Sequence, residues 1–293
     1  MQFGFSSFTF RQCMRDGRMS LLDVMDWISA TDATHMEIAT VSLTGQMSDE
    51  STLDSDPELI QGIKSKAADT GLVLSNLVAP ANFLTNTVEE YKLNMERTKR
   101  HILTADELGI RLFRHDVATW ATPGRDIVEF ASLLPRVVEA CQEIAQFGAQ
   151  YGITTSVENH GLFMNASERV RRLIYLVDEP NFRTTVDVGN FLVVDEDAST
   201  AVARNAPYAS IFHLKDFYVR HQYPGEGWIH TDGGAYLLGA IVGYGDLDMR
   251  SIVRNIVASG YDGFISLEFE GIEDCLLAAT TGLANMQRLF AEV

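Results

Sequence analysis

The segment Ile153-Thr-Thr-Ser-Val-Glu158 decides the fold: small and β-branched residues run unbroken into a single carboxylate. Three later segments repeat the pattern, Phe182-Arg-Thr-Thr-Val-Asp187, Ala209-Ser-Ile-Phe-His213 and Gly263-Phe-Ile-Ser-Leu-Glu268. A short apolar run bounded by turn residues reads as a strand buried on both faces. If such strands are parallel, all four polar residues arrive at the same end of the sheet.

Working outward, four more candidate strands precede these: Gln2–Phe8, Thr34–Ala39, Leu72–Val78 and Ile110–His115. The third of the quoted strands extends to Leu214. Windows with apolar residues at helical spacing lie between the strands. Ser20 caps the one that runs to Ile28, and Asp56-Pro57-Glu58 opens another that closes at Gly71. Val88–Gly109, Ser167–Val177, Met249–Ser259 and Ile272–Glu292 supply further helices, and Pro135 is expected to kink or split the one across Asp126–Gly148. Strands alternating with helices imply right-handed crossovers and a parallel sheet. Eight such units predict one α/β domain over residues 1–293, a (β/α)8 TIM barrel. An open doubly wound sheet is the rival, but no G-x-G-x-x-G follows the first strand. A long insert at about 216–247, rich in glycine and aromatics and holding Arg220, His221, Trp228 and His230, follows the seventh strand. Loops of that size are usually functional lids or disordered segments, and this one leaves from the face where barrel active sites sit.

The composition is globular, 46% hydrophobic and 22% charged, with mean hydropathy near zero. The net charge is −17, from 40 acidic residues against 23 Lys and Arg, which disfavours nucleic acid as a partner. No stretch approaches the ~18 apolar residues of a membrane span, and the first twenty residues do not read as a signal peptide. Cys13, Cys141 and Cys275 are odd in number and widely spaced, which indicates neither a zinc site nor a disulfide framework and makes a reducing cytoplasm the simplest location.

Carboxylates gathered at one barrel end repel one another and raise each other's pKa. A divalent cation is the natural way to hold Glu158, Asp187 and Glu268 ionised beside His213. Three carboxylates and one imidazole form a hard donor set, which favours Mn²⁺ first, with Mg²⁺, Co²⁺ and Zn²⁺ as alternatives.

On the segments Ser-Val-Glu158-Asn-His-Gly, Val-Asp187-Val-Gly-Asn190, Ile-Phe-His213-Leu-Lys215-Asp216, Gly243-Tyr-Gly-Asp-Leu-Asp248 and Gly260-Tyr-Asp-Gly-Phe-Ile-Ser-Leu-Glu268, the chain resembles the sugar phosphate isomerase/epimerase superfamily, the xylose isomerase-like TIM barrels. The resemblance implies that Glu158, Asp187, His213 and Glu268 ligate one metal and that the two glutamates double as acid/base catalysts. It implies an isomerase or epimerase acting on a sugar or polyol-derived ketone through a metal-stabilised enediolate. A lyase or dehydratase using the same intermediate is the alternative. Asn190 stands where many members have His, and Val219 where ketose 3-epimerases carry Arg, with Arg220 one place later. Both departures argue against a ketose 3-epimerase in particular. By analogy with the family, a homo-oligomer is expected.

Six further residues are candidates for substrate binding: His115, Asn190, Lys215, Glu37, Arg220 and His160. His115 has a plainer reading as a capped structural histidine and Glu37 and Lys215 as ion-pair partners, while His160 is a candidate to orient a metal ligand. His115 closes the fourth strand and is expected to face the pocket. Lys215 lies two residues past His213, on the same side of the strand. Phe8, Phe10, Phe83, Trp120 and Trp228 are candidate pocket walls, although aromatics in the core are the default. A repair nuclease needs more histidines than this ligand set holds, and a non-catalytic sugar-binding barrel predicts no metal.

Overall fold

The computed structural model describes residues 1–43, 53–120, 122, 124 and 126–293. Its centre is a closed barrel of eight parallel strands: β1 (Gln2–Ser6), β2 (His35–Ala39), β3 (Val73–Ala79), β4 (Leu112–His115), β5 (Thr154–Glu158), β6 (Phe182–Asp187), β7 (Ala209–Leu214) and β11 (Phe264–Leu267). All eight expected strands are present. The first stops at Ser6 because the chain tightens into a 3₁₀ turn over Ser7–Phe10, which Ser6 caps. Closure comes from β1 pairing with β11, with Gly4 opposite Ser266 and Phe5 opposite Leu267.

The connecting helices start and stop where local chemistry directs. Ser20 and Asp23 form a capping box on α2 (Leu21–Ser29). In α3 (Pro57–Thr70), Asp56 accepts from the Leu59 amide, and Gly71 ends the helix at φ +71°. α4 (Val88–Glu107) opens on a Thr87–Glu90 capping box, whereas α6 (Ser167–Val177) ends with Asp178 in the left-handed region. The helix does not split at Pro135. α5 (Ile127–Ala149) runs through it as one helix, started by Asp126, and packs against α4 and α6. α7 (Ala198–Asn205), α8 (Met249–Ala258) and α9 (Cys275–Ala291) complete the outer ring after the short α1 (Arg11–Arg15). The apolar core fills the space between strands and helices, with Phe113, Val157, Val186, Phe212 and Leu267 facing outward from the barrel.

The 216–247 insert is ordered. β8 (Asp216–Arg220), β9 (Ile229–His230) and β10 (Tyr236–Ala240) form an antiparallel sheet with β10 central. The buried Asp216 carboxylate ties both ends of the insert together, accepting hydrogen bonds from the amides of Phe217, Gly243 and Gly245 at 2.9 Å each. A side chain at Gly245 would collide with that carboxylate, so only glycine fits there.

The cysteine reading requires correction: a disulfide joins Cys13 of α1 to Cys275 of α9, whose Cα atoms are 6.9 Å apart. The cysteines are 262 residues apart in sequence. They meet because β1 and β11 are barrel neighbours, so the elements that follow them stack. Cys141 is free and buried. The disulfide removes the cysteine argument for a reducing compartment. Among the described residues, no helix is long and apolar enough to cross a membrane.

Candidate metal centre

Parallel strands deliver their C-terminal ends to one rim. Glu158 ends β5, Asp187 ends β6, His213 is the penultimate residue of β7, and Glu268 follows β11 directly. Register aligns them, with Asp187 opposite His213 and His213 opposite Ser266. One donor atom from each of the four lies within 4.8 Å of every other, and all four residues are buried.

The centre is built around His213 Nδ1, which makes no hydrogen bond. Oxygens of Glu158, Asp187 and Glu268 surround it at 3.7, 3.9 and 3.7 Å. Donors to one ion, at bond lengths of roughly 2.0–2.2 Å, lie at most ~4.4 Å apart. A contraction of a few tenths of an ångström therefore brings this set on to a single ion. A buried imidazole nitrogen without a hydrogen bond, facing three hard oxygens, fits a divalent cation.

Each of the four side chains is held by neighbours. Glu37 Oε1 lies 2.8 Å from His213 Nε2, and Asn76 donates to the other Glu37 oxygen at 3.0 Å. Asp187 Oδ1 accepts from the amides of Gly189 and Asn190 at 2.8 and 2.9 Å, which turns Oδ2 toward the centre. Asn190 Nδ2 donates to Glu158 Oε1 at 2.9 Å, and Arg114 Nε pairs with Glu158 Oε2 at 2.8 Å. Lys215 Nζ lies 2.7 Å from Glu268 Oε2 and 3.0 Å from Asp187 Oδ2.

The electrostatics follow from burial opposed by these partners. Burial disfavours a charged His213, yet Glu37, Glu268 and Glu158 outweigh it and push its pKa up to about 10. Burial also pushes Asp187 up to about 7, against the pull of Lys215. Burial would raise Glu268 too, but Lys215 and His213 hold it well below the usual carboxylate range. Lys215 itself stays protonated, because Asp187 and Glu268 overcome its desolvation.

Above the cluster opens a cavity of about 530 Å³, lined by Glu158, Glu268, Lys215, His160 and Arg114 at its polar end. Of the six substrate candidates, Lys215 and His160 line it. His160 Nδ1 is 3.1 Å from Asp116, which in turn grips Arg114. Asn190 and Glu37 instead contact the Glu158 and His213 side chains. The expectation for His115 fails. Arg114 pairs with Ser156 and points inward, so His115 points outward, against Phe83 and Phe182, with Nδ1 on the Asp116 carbonyl. Burial lowers its pKa to about 4. Arg220 is also elsewhere: it lies at the far end of β8, pairs with Asp246 and sits over Trp228. Phe8 and Trp120 line the cavity, whereas Phe10 and Phe83 are core. Arg114, Asp116 and Glu270 are site residues that the sequence reading missed.

A family model for the xylose isomerase-like TIM barrel matches residues 25–289. The chain belongs to that family. No curated protein sequence matches the chain. Among solved structures, the IOLI protein with a bound zinc atom superposes with a TM-score of 0.77 at 14% identity, over 100% of this chain and 99% of that one. The E. coli 3-keto-D-glucoside 4-epimerase YcjR gives 0.73 at 17%, over 98% and 99%. The probable 3-DHS dehydratase AsbF from Bacillus anthracis gives 0.73 at 15%, over 99% and 98%. At these identities the likeness establishes the shared fold.

Proposed function

We propose that this xylose isomerase-like barrel is a divalent-metal-dependent isomerase or epimerase of a sugar or polyol-derived ketone. The convergence of Glu158, Asp187, His213 and Glu268 beneath an open cavity carries the reading. When bound, a divalent ion, Mn²⁺ on the hardness of the donors, supplies a Lewis acid for a carbonyl and its neighbouring hydroxyl. Glu158 and Glu268 stand on strands separated by β6 and β7, so one removes a proton beside the carbonyl and the other returns one. Each has one oxygen held by a cation from the wall, Arg114 on Glu158 and Lys215 on Glu268, which keeps both carboxylates aimed. Return to the opposite face gives epimerisation; return to the adjacent carbon gives isomerisation.

A β-elimination is the second reading, favoured by His160. Paired to Asp116 on the cavity wall, it is placed to protonate a leaving group. The comparison with a probable dehydratase supports keeping it.

Incubation of Mn²⁺-loaded protein with keto-sugars in D₂O tests both. Deuterium in the recovered sugar supports proton transfer with return, and release of water or an aglycone supports elimination. Glu158→Gln and Glu268→Gln should each lower kcat by about a hundredfold or more. Failure of the wild type both to retain metal and to exchange deuterium would end the proposal.

A further inference from the structure

From the far half of the cavity we infer that the substrate carries a flat apolar substituent, such as an aryl aglycone, seated between Trp120, Phe8 and Ile229. This deepens the proposed function, and rests on it only for placing the sugar at the acid cluster. Size is the first observation. At about 30 Å³ per water, the cavity of about 530 Å³ has room for roughly 18 waters, against about twelve non-hydrogen atoms in a hexose. A monosaccharide at the cluster leaves the outer part of the cavity to something else.

The chemistry of that outer part is the second observation. Val41, Val78, Pro80, Trp120, Phe8 and Ile229 form its walls. Arg97 also lines the cavity, and the polar groups there are largely engaged. Asn94 accepts from the Asn82 amide and donates to the Glu90 carbonyl, while Asn82 accepts from the Leu84 amide. Thr119 is bonded to Thr122. A second sugar would bury hydroxyls with few partners, each at a cost, whereas an apolar ring buries no polar group.

The walls are also fixed in advance. Arg11 lies 4.3 Å over the Phe8 ring and donates to the Phe269 carbonyl at 2.6 Å. The Trp120 ring packs 4.9 Å from His160, which Asp116 holds. Ile229 is carried in by the insert, whose β9–β10 turn is clamped to the segment after β6. Asp195, in the left-handed region at φ 56°, accepts from Thr231 Oγ1 at 2.7 Å and from the Gly233 amide. The Asp232 amide donates to the Val193 carbonyl at 2.9 Å. These contacts hold the turn that follows Ile229 in place.

The test is calorimetric binding of phenyl β-D-glucopyranoside, methyl β-D-glucopyranoside and cellobiose to the Mn²⁺-loaded full-length protein. The phenyl glycoside should bind at least about tenfold more tightly than the other two, or about 1.4 kcal/mol. In the double variant Trp120→Ala, Ile229→Ala the phenyl-to-methyl ratio should fall towards one. Equal affinities, a preference for cellobiose, no binding of the phenyl glycoside, or a ratio untouched by the substitutions would each overturn the inference. The wild-type comparison needs no variant to fold. Absence of deuterium exchange with the phenyl preference intact would count against the isomerase reading alone.

Discussion

Glu37 shows how a residue behind a candidate donor can govern the site. Its carboxylate, 2.8 Å from His213 Nε2, fixes which imidazole nitrogen faces the acids. Partners of this kind tune metal affinity by about 10–100-fold. Glu37→Gln should therefore weaken Mn²⁺ binding within that range in a chelator competition, with the fold intact by circular dichroism. Lys215 has the complementary role of balancing Asp187 and Glu268 from within. Lys215→Met leaves two buried carboxylates less compensated, and should lower unfolding stability in chelator by about 3 kcal/mol. Excess Mn²⁺ should recover part of that loss, and urea midpoints with and without metal measure it. The four convergent residues were legible because each ends an apolar run and parallel strands share a rim. The neighbouring choice between Arg114 and His115 was not. β4 is buried on both faces, so it lacks the polar alternation that reveals which side chains point inward.

Among the elements, α4 carries a liability that pH exposes. His101 is fully buried, neither of its ring nitrogens has a hydrogen-bond partner, and burial lowers its pKa to about 4 from 6.5. The unfolded chain takes up a proton near pH 6.5 and the folded one only near 4. Stability is therefore full above 6.5 and falls as pH drops through that window, by up to about 3 kcal/mol. His101→Leu should flatten the fall, seen as a smaller difference between urea midpoints at pH 7.5 and 5. The helices were readable from their caps and glycines. The insert was recognisable only as an irregular stretch, because its strands are short and β9 spans just two residues. At Pro135 the helix continues rather than splits, because tertiary packing on both sides of α5 outweighs one lost backbone bond.

For the whole molecule, the disulfide between Cys13 and Cys275 joins the first and last helices. Cross-links that close long loops stabilise by roughly 2–4 kcal/mol, mainly through the unfolded chain. Cys13→Ser, or a reductant, should lower the denaturation free energy by about that amount, read from a urea titration with and without dithiothreitol. Sequence spacing holds no trace of this pairing, since only closure of the barrel makes the two cysteines neighbours. That closure also constrains the order of assembly on the ribosome. Because β1 docks beside β11, the earliest strand to emerge waits with one edge bare until residue 267 has been translated, and such edges invite pairing with other chains. Glu268, the last of the four donors, arrives in the same few residues. Nascent chains stopped short of it would present neither a sealed wall nor a complete cation cradle, so the protein should mature in one late step and depend on chaperones up to that point.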